Sequence, residues 1–207
     1  MKKYMLFFTS LFLAGCSVLG LWSASEPRYE ILTTNDRIEI RQYPPMVVAQ
    51  TAVNADYKDS SSQGFNRLAS YIFGNNKSEQ KMTMTAPVFQ KQEAAIMDMT
   101  VPVIQQKTQK VWLMEFVLPQ YYTVSSAPRP LDSAVLIKDI PSKKVAVIKY
   151  TGSLSEQGIE EKSEELKYWL FKKGYKPIST SRSAAYDPPW TLPFLRRNEV
   201  HIDIEKS

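Results

Sequence analysis

Apolar residues recur at two different periods along the chain. Phe65, Leu68, Ala69 and Ile72 fall at i, i+3, i+4 and i+7, one stripe of a helix. Ser60-x-x-Gln63 fits a capping box, which predicts a start near Ser60, and Gly74-Asn75 supplies a left-handed stop. A second helix is predicted from Ile159, Leu166, Trp169 and Leu170, with Ser153-x-x-Glu156 as its capping box and Gly174 as its stop. Glu156, Glu160 and Glu161 lie near its amino end and Lys172 and Lys173 near its carboxyl end, matching the helix dipole. The strand signals are the apolar, β-rich run from Met46 to Val53 and the alternation of Met82, Met84, Ala86 and Val88 with Thr83 and Thr85. Residues Ile96 to Ile104, Val111 to Leu118, Ala134 to Ile140, Val145 to Tyr150 and Glu199 to Ile204 are further strand candidates. An unusual loop, Asp187-Pro188-Pro189-Trp190-Thr191-Leu192-Pro193-Phe194, precedes the last of them.

The two helices belong to a repeat. Val47-Val48-Ala49 returns as Val145-Ala146-Val147, 98 residues later. At the same offset Leu68 meets Leu166, Tyr71 meets Trp169, Ile72 meets Leu170 and Phe73 meets Phe171. Two helices and about eight strands joined by short turns predict an α+β fold. The expected architecture is a distorted antiparallel β-barrel with two flanking helices, built from a duplicated strand–helix–strand half.

The amino terminus reads as an address. Met1-Lys2-Lys3 is basic, the run from Tyr4 to Leu13 is apolar, and small residues follow, as in a secretory signal peptide. The apolar run is shorter than the roughly 20 residues that cross a bilayer. Leu13-Ala14-Gly15-Cys16 resembles the lipobox of bacterial lipoproteins, in which the chain is cut before an acylated cysteine. The expected division is therefore residues 1–15 as lipoprotein signal peptide, 16–25 as a lipidated tether and 26–207 as the folded domain. Lipid on Cys16 would join the protein to the membrane. Ser17 in place of Asp favours the outer membrane by the lipoprotein sorting rule, with the domain facing the periplasm of the cell envelope.

Composition narrows the chemistry. One cysteine excludes an intrachain disulfide framework and multi-cysteine metal sites, and one histidine, His201, excludes a His-rich metal centre. The formal charge of +5 loses the contributions of Lys2 and Lys3 on cleavage, and the remainder is scattered, so nucleic acid is not an expected partner. There is no Gly-x-Ser-x-Gly elbow and no Gly-rich phosphate loop. Neither a catalytic set nor a metal site is predicted.

Six separated stretches carry a stronger signal. Tyr29-Glu30-Ile31 and Ile38-Glu39-Ile40-Arg41-Gln42-Tyr43-Pro44 lead into Gly64-Phe65-Asn66-Arg67-Leu68-Ala69-Ser70-Tyr71-Ile72-Phe73-Gly74-Asn75. Lys81-Met82-Thr83-Met84-Thr85-Ala86-Pro87-Val88 follows, and the chain closes with Tyr186-Asp187-Pro188-Pro189-Trp190 and Leu195-Arg196-Arg197-Asn198-Glu199-Val200. Together they resemble the SOUL haem-binding protein family, from about Glu26 to Ile204. The resemblance implies a SOUL/GyrI-like fold, which agrees with the repeat. It also implies haem or a related tetrapyrrole, as ligand rather than catalytic cofactor, in a shallow hydrophobic groove along the first helix.

A tetrapyrrole is a flat apolar disc with two carboxylates, so it needs apolar walls and a basic rim. On this chain the walls fall to Phe65, Ala69, Met82 and Met84, and the rim to Arg67 and Lys81, with Lys77 nearby. Ser70 stands where haem-binding relatives carry a basic residue before the helix tyrosine. Met82, Met84, Met97 and Met99 offer sulfur, and His201 nitrogen, to a metal; each also reads as ordinary core. Two other readings stay open. One is a structural or interaction lipoprotein that keeps the fold without haem affinity. The other is an enzyme removing the metal from a tetrapyrrole.

Overall fold

The computed structural model describes residues 24–93, 111–188 and 190–206. The signal segment, Cys16, Met97, Asp98, Met99, Pro189 and the strand expected at 96–104 lie outside these residues. Among the described residues, ten strands and two long helices follow one another: β1 (Glu30–Asn35), β2 (Ile38–Tyr43), β3 (Met46–Asn54), α1 (Tyr57–Ile72), β4 (Val88–Glu93) and β5 (Val111–Val117). Then come β6 (Val135–Ile140), β7 (Lys143–Tyr150), α2 (Glu156–Lys173), β8 (Tyr175–Pro177), β9 (Arg182–Ala185), a 3₁₀ turn at Pro193–Leu195 and β10 (Asn198–Lys206). The expected α+β class is the one observed. The strands join in one curled antiparallel sheet in the order β1-β2-β7-β10-β9-β4-β5-β3-β6, with β8 added beside β10.

Setting β1 and β8 aside, that order is a palindrome. β2 matches β6, β7 matches β3, β10 matches β5, and β9 matches β4, with the pseudo-twofold axis between β9 and β4. The duplication read in the sequence is therefore present in the topology. The halves are interleaved, because β2 pairs with β7 of the second half and β6 with β3 of the first.

The 98-residue register holds for the helices and slips in the strands. Leu68 and Leu166 are both buried, as are Ile72 and Leu170. Val47 and Ala49, however, face α1, whereas Ala146 and Ile148 face α2 and Val145 and Val147 point to the opposite side of the sheet. A one-residue slip turns every side chain over, so the strands correspond at offset 99.

The capping boxes are also displaced. Asp56 caps α1 by accepting from the Asp59 N–H, and Ser155 caps α2 by accepting from the Gly158 N–H. Ser60 is buried one turn inside α1, where its hydroxyl donates to the Tyr57 carbonyl. Gly174, at φ 71°, ends α2 as expected. The segment from Met82 to Pro87 lies outside the strands. Met82 N–H donates to the Ile72 carbonyl and Ala86 N–H to the Ser25 carbonyl, so the ladder begins only at Val88.

Candidate functional site

Two regions concentrate the chemistry. The first is α1 and the segment that returns beside it. Leu68, Ala69, Tyr71 and Ile72 bury into a core with Val47, Ala49, Met114 and Phe116. Gly64 lets α1 approach β5, since a Cβ there would sit 3.2 Å from both Cβ and Sδ of Met114.

The structure separates the residues singled out in the sequence. Ala69 and Met82 are buried in this core and offer almost no surface; Met84 is half-buried against it. Phe65 is 36% exposed, its ring edge-on to Phe116 with centroids 5.5 Å apart. Phe73 is more exposed still, at the end of the same helix. Arg67 does not stand clear as a cation: it pairs with Asp132 at 3.1 Å and donates to Thr51 Oγ1 at 2.9 Å. Lys81 is exposed, and its Cγ lies 3.7 Å from where a Cβ on Gly74 would be, beside Phe73.

The second region sits on the concave face of the sheet and was not assembled from the sequence. Alternation on β2 sends Ile38 and Ile40 toward α2 and Glu39, Arg41 and Tyr43 to the opposite side. There the buried Arg41 guanidinium donates to Glu199 in bidentate fashion, Nη1 to Oε2 at 2.8 Å and Nη2 to Oε1 at 2.9 Å. Its Nε reaches Glu39 at 2.8 Å, and its face lies 4.2 Å over the Tyr29 ring. Tyr186 Oη donates to Glu199 Oε2 at 2.7 Å, His201 Nε2 meets the same oxygen at 2.7 Å, and Lys149 closes the cluster on Glu39.

Burial pushes the Glu199 carboxyl up. The hydrogen bonds and charges of His201 and Arg41 outweigh that effect and hold it well below the usual carboxylate range. Full burial lowers His201 to about 4, against the pull of Glu199, so it is neutral at pH 7. An ionised Glu199 then requires the Nε2–H tautomer, leaving Nδ1 as an acceptor with no partner among the described residues. The signal that would have found this cluster was the charged side of β2, since Glu39, Arg41 and Tyr43 read at period two.

Two cavities border the concave face. One of about 20 Å³ lies among Tyr43, Phe89, Lys143, Arg182 and His201, room for about one water. Another of about 150 Å³ is walled by Ala24, Glu26, Ala86, Tyr186, Asp187, Leu195 and Arg197. Neither is lined by α1. Among the described residues no group of three or more His, Cys, Asp or Glu is placed to hold a metal ion.

This pseudo-symmetric helix-backed sheet is a known architecture. The EcmrR C-terminal domain superposes with a TM-score of 0.59 at 14% identity, covering 86% of this chain and 99% of that one. A hydrolase from Listeria innocua gives 0.55 at 9% identity, over 84% of this chain and 94% of its own. Sequence comparison is more specific. The family profile described as SOUL heme-binding protein matches residues 24–203. Heme-binding protein 2 of Homo sapiens is 34% identical over 171 residues, 82% of this chain and 78% of that protein, and its Mus musculus counterpart is 30% identical over 172. The chain belongs to the SOUL heme-binding protein family.

Proposed function

We propose that this protein is a lipid-anchored component of the bacterial cell envelope that binds haem or a related tetrapyrrole on the open apolar surface beside α1. Membership of the family supports the ligand class. The observation that carries the place is the exposure of Phe65 and Phe73 on a helix whose other large apolar side chains are buried. Phe65, Phe73 and Met84 would supply apolar contact, and Lys81 a cation for a propionate. His201 is fully buried and committed to Glu199, so this surface suits a disc held by apolar contact without a histidine axial ligand. The lipobox-like Leu13-Ala14-Gly15-Cys16 supports anchoring, and Ser17 supports the outer membrane, periplasmic side. The role is binding rather than turnover.

A Soret titration of the protein with haemin should show saturable, stoichiometric binding. Phe65→Asp should weaken it at least tenfold while the circular dichroism spectrum stays unchanged. Unaltered affinity in that variant would remove the α1 surface as the site. Purely nonspecific haemin adsorption by the native protein would leave a lipoprotein that keeps the fold without the ligand.

A further inference from the structure

The loop before β10 is built to show apolar side chains to its surroundings. Thr191 N–H donates to the Pro188 carbonyl, Leu195 N–H to the Leu192 carbonyl and Arg196 Nε to the Thr191 carbonyl, while Gly152 N–H secures the Pro193 carbonyl from the turn before α2. These hydrogen bonds brace the loop, yet Trp190 is 58% exposed and Phe194 68%, with Leu192 and Leu195 also exposed. A braced loop that spends its large apolar groups on solvent is the pattern of an interaction surface.

The same end of the molecule holds the start of the described chain. Ala24 and Glu26 share a cavity wall with Leu195, and Arg197 clamps Glu26 through two hydrogen bonds of 3.0 and 2.8 Å. Ala86 N–H donates to the Ser25 carbonyl, fixing the entry from a second side. Only residues 17–23 separate this point from Cys16, a span of at most about 28 Å. A lipid on Cys16 therefore keeps the Trp190–Leu195 loop within reach of the bilayer surface. Trp, Phe and Leu are the side chains that settle at the boundary between headgroups and acyl chains.

We infer that Trp190, Leu192, Phe194 and Leu195 form a second membrane contact that seats the domain on the bilayer carrying its lipid. This inference rests on the anchoring reading above. The test uses the mature lipidated protein, carrying Trp22→Phe, in phosphatidylethanolamine/phosphatidylglycerol vesicles with brominated acyl chains, and mass spectrometry of its amino-terminal peptide. The Trp190 emission is taken as the difference between this protein and its Trp190→Phe variant, since Trp112 and Trp169 remain in both; brominated lipid should quench that difference at least twofold and leave the Trp190→Phe variant little changed. An acylated protein whose Trp190 is quenched by aqueous acrylamide and not by brominated lipid would overturn the inference while leaving the anchor intact. So would a Trp190 shielded from both quenchers, which would assign the loop to residues 18–22 or to a second copy of the chain. A peptide without acyl chains would remove the anchor and the inference together.

Discussion

β3 and β7 hold matching places, each leading into a helix, yet they turn different chemistry to the concave face. Around β3, Met46 and Val48 lie with Ala86, Phe89, Val117 and Tyr186 in an apolar cluster. Around β7, Lys149 joins Glu39, Arg41, Glu199 and His201. An apolar cluster tolerates change in proportion to the volume lost. A buried ionic cluster fails abruptly when one partner is removed, because the survivor keeps its desolvation cost. The β3 side of the concave face is thus held mainly by packing, while the β7 side, where Val145 and Val147 also pack on Tyr43, adds mutual charge satisfaction.

That contrast can be broken most sharply at Glu199. Glu199→Ala leaves Arg41 buried without its bidentate partner and should cost about 4 kcal/mol in urea unfolding. The double change Glu199→Leu with Arg41→Met should cost far less, because no charge is left stranded.

Acid should probe the same half. The folded protein keeps His201 neutral down to about pH 4, whereas the unfolded imidazole takes a proton near 6.5. Between those values the unfolded chain binds more protons, so stability falls as pH falls, by about 3 kcal/mol in all. Glu199, held low in the folded state, adds loss of the same sign once pH drops below its unfolded value near 4.5. In His201→Gln the fall between pH 6.5 and 4 should flatten.

The helix-covered cores offer a gentler comparison. Leu166 packs among Ile, Val and Ala side chains, while Leu68 has Met82 and Met114 in its cluster. Methionine can swing into a void and branched aliphatics cannot. Leu166→Ala should cost about 3 kcal/mol and Leu68→Ala about 2. Equal costs would show that the methionines do not relax.

The sequence carried the helices and most strands because their periods come from burial on one side, as at Leu68, Ile72, Leu166 and Leu170. It did not carry β1 and β2 as strands, nor β8 and β9. β1 is exposed along its length and so has no buried side to set a period, and β8 and β9, at three and four residues, have no room for one; the period-two alternation of β2 was there to be read. The helix starts were misplaced because Ser60 and Ser153 offer the same cap chemistry as Asp56 and Ser155, and only the backbone geometry decides among them. At the candidate site, Phe65 and Ala69 share a helical stripe in the sequence, yet one lies at the edge of the core and the other within it. The Arg41–Glu199 pair spans 158 positions, a distance at which no local period speaks.

The interleaving of the halves sets an order of events during synthesis. When β2 leaves the ribosome, only β1 is there to pair with it; its other neighbour, β7, is still about a hundred residues away, and the Glu199 carboxylate that holds Arg41 in bidentate fashion sits in the final strand. The amino-terminal half can pair β1 with β2 and β3 and β4 with β5, but neither half has all its neighbours before nearly all of the chain has been made.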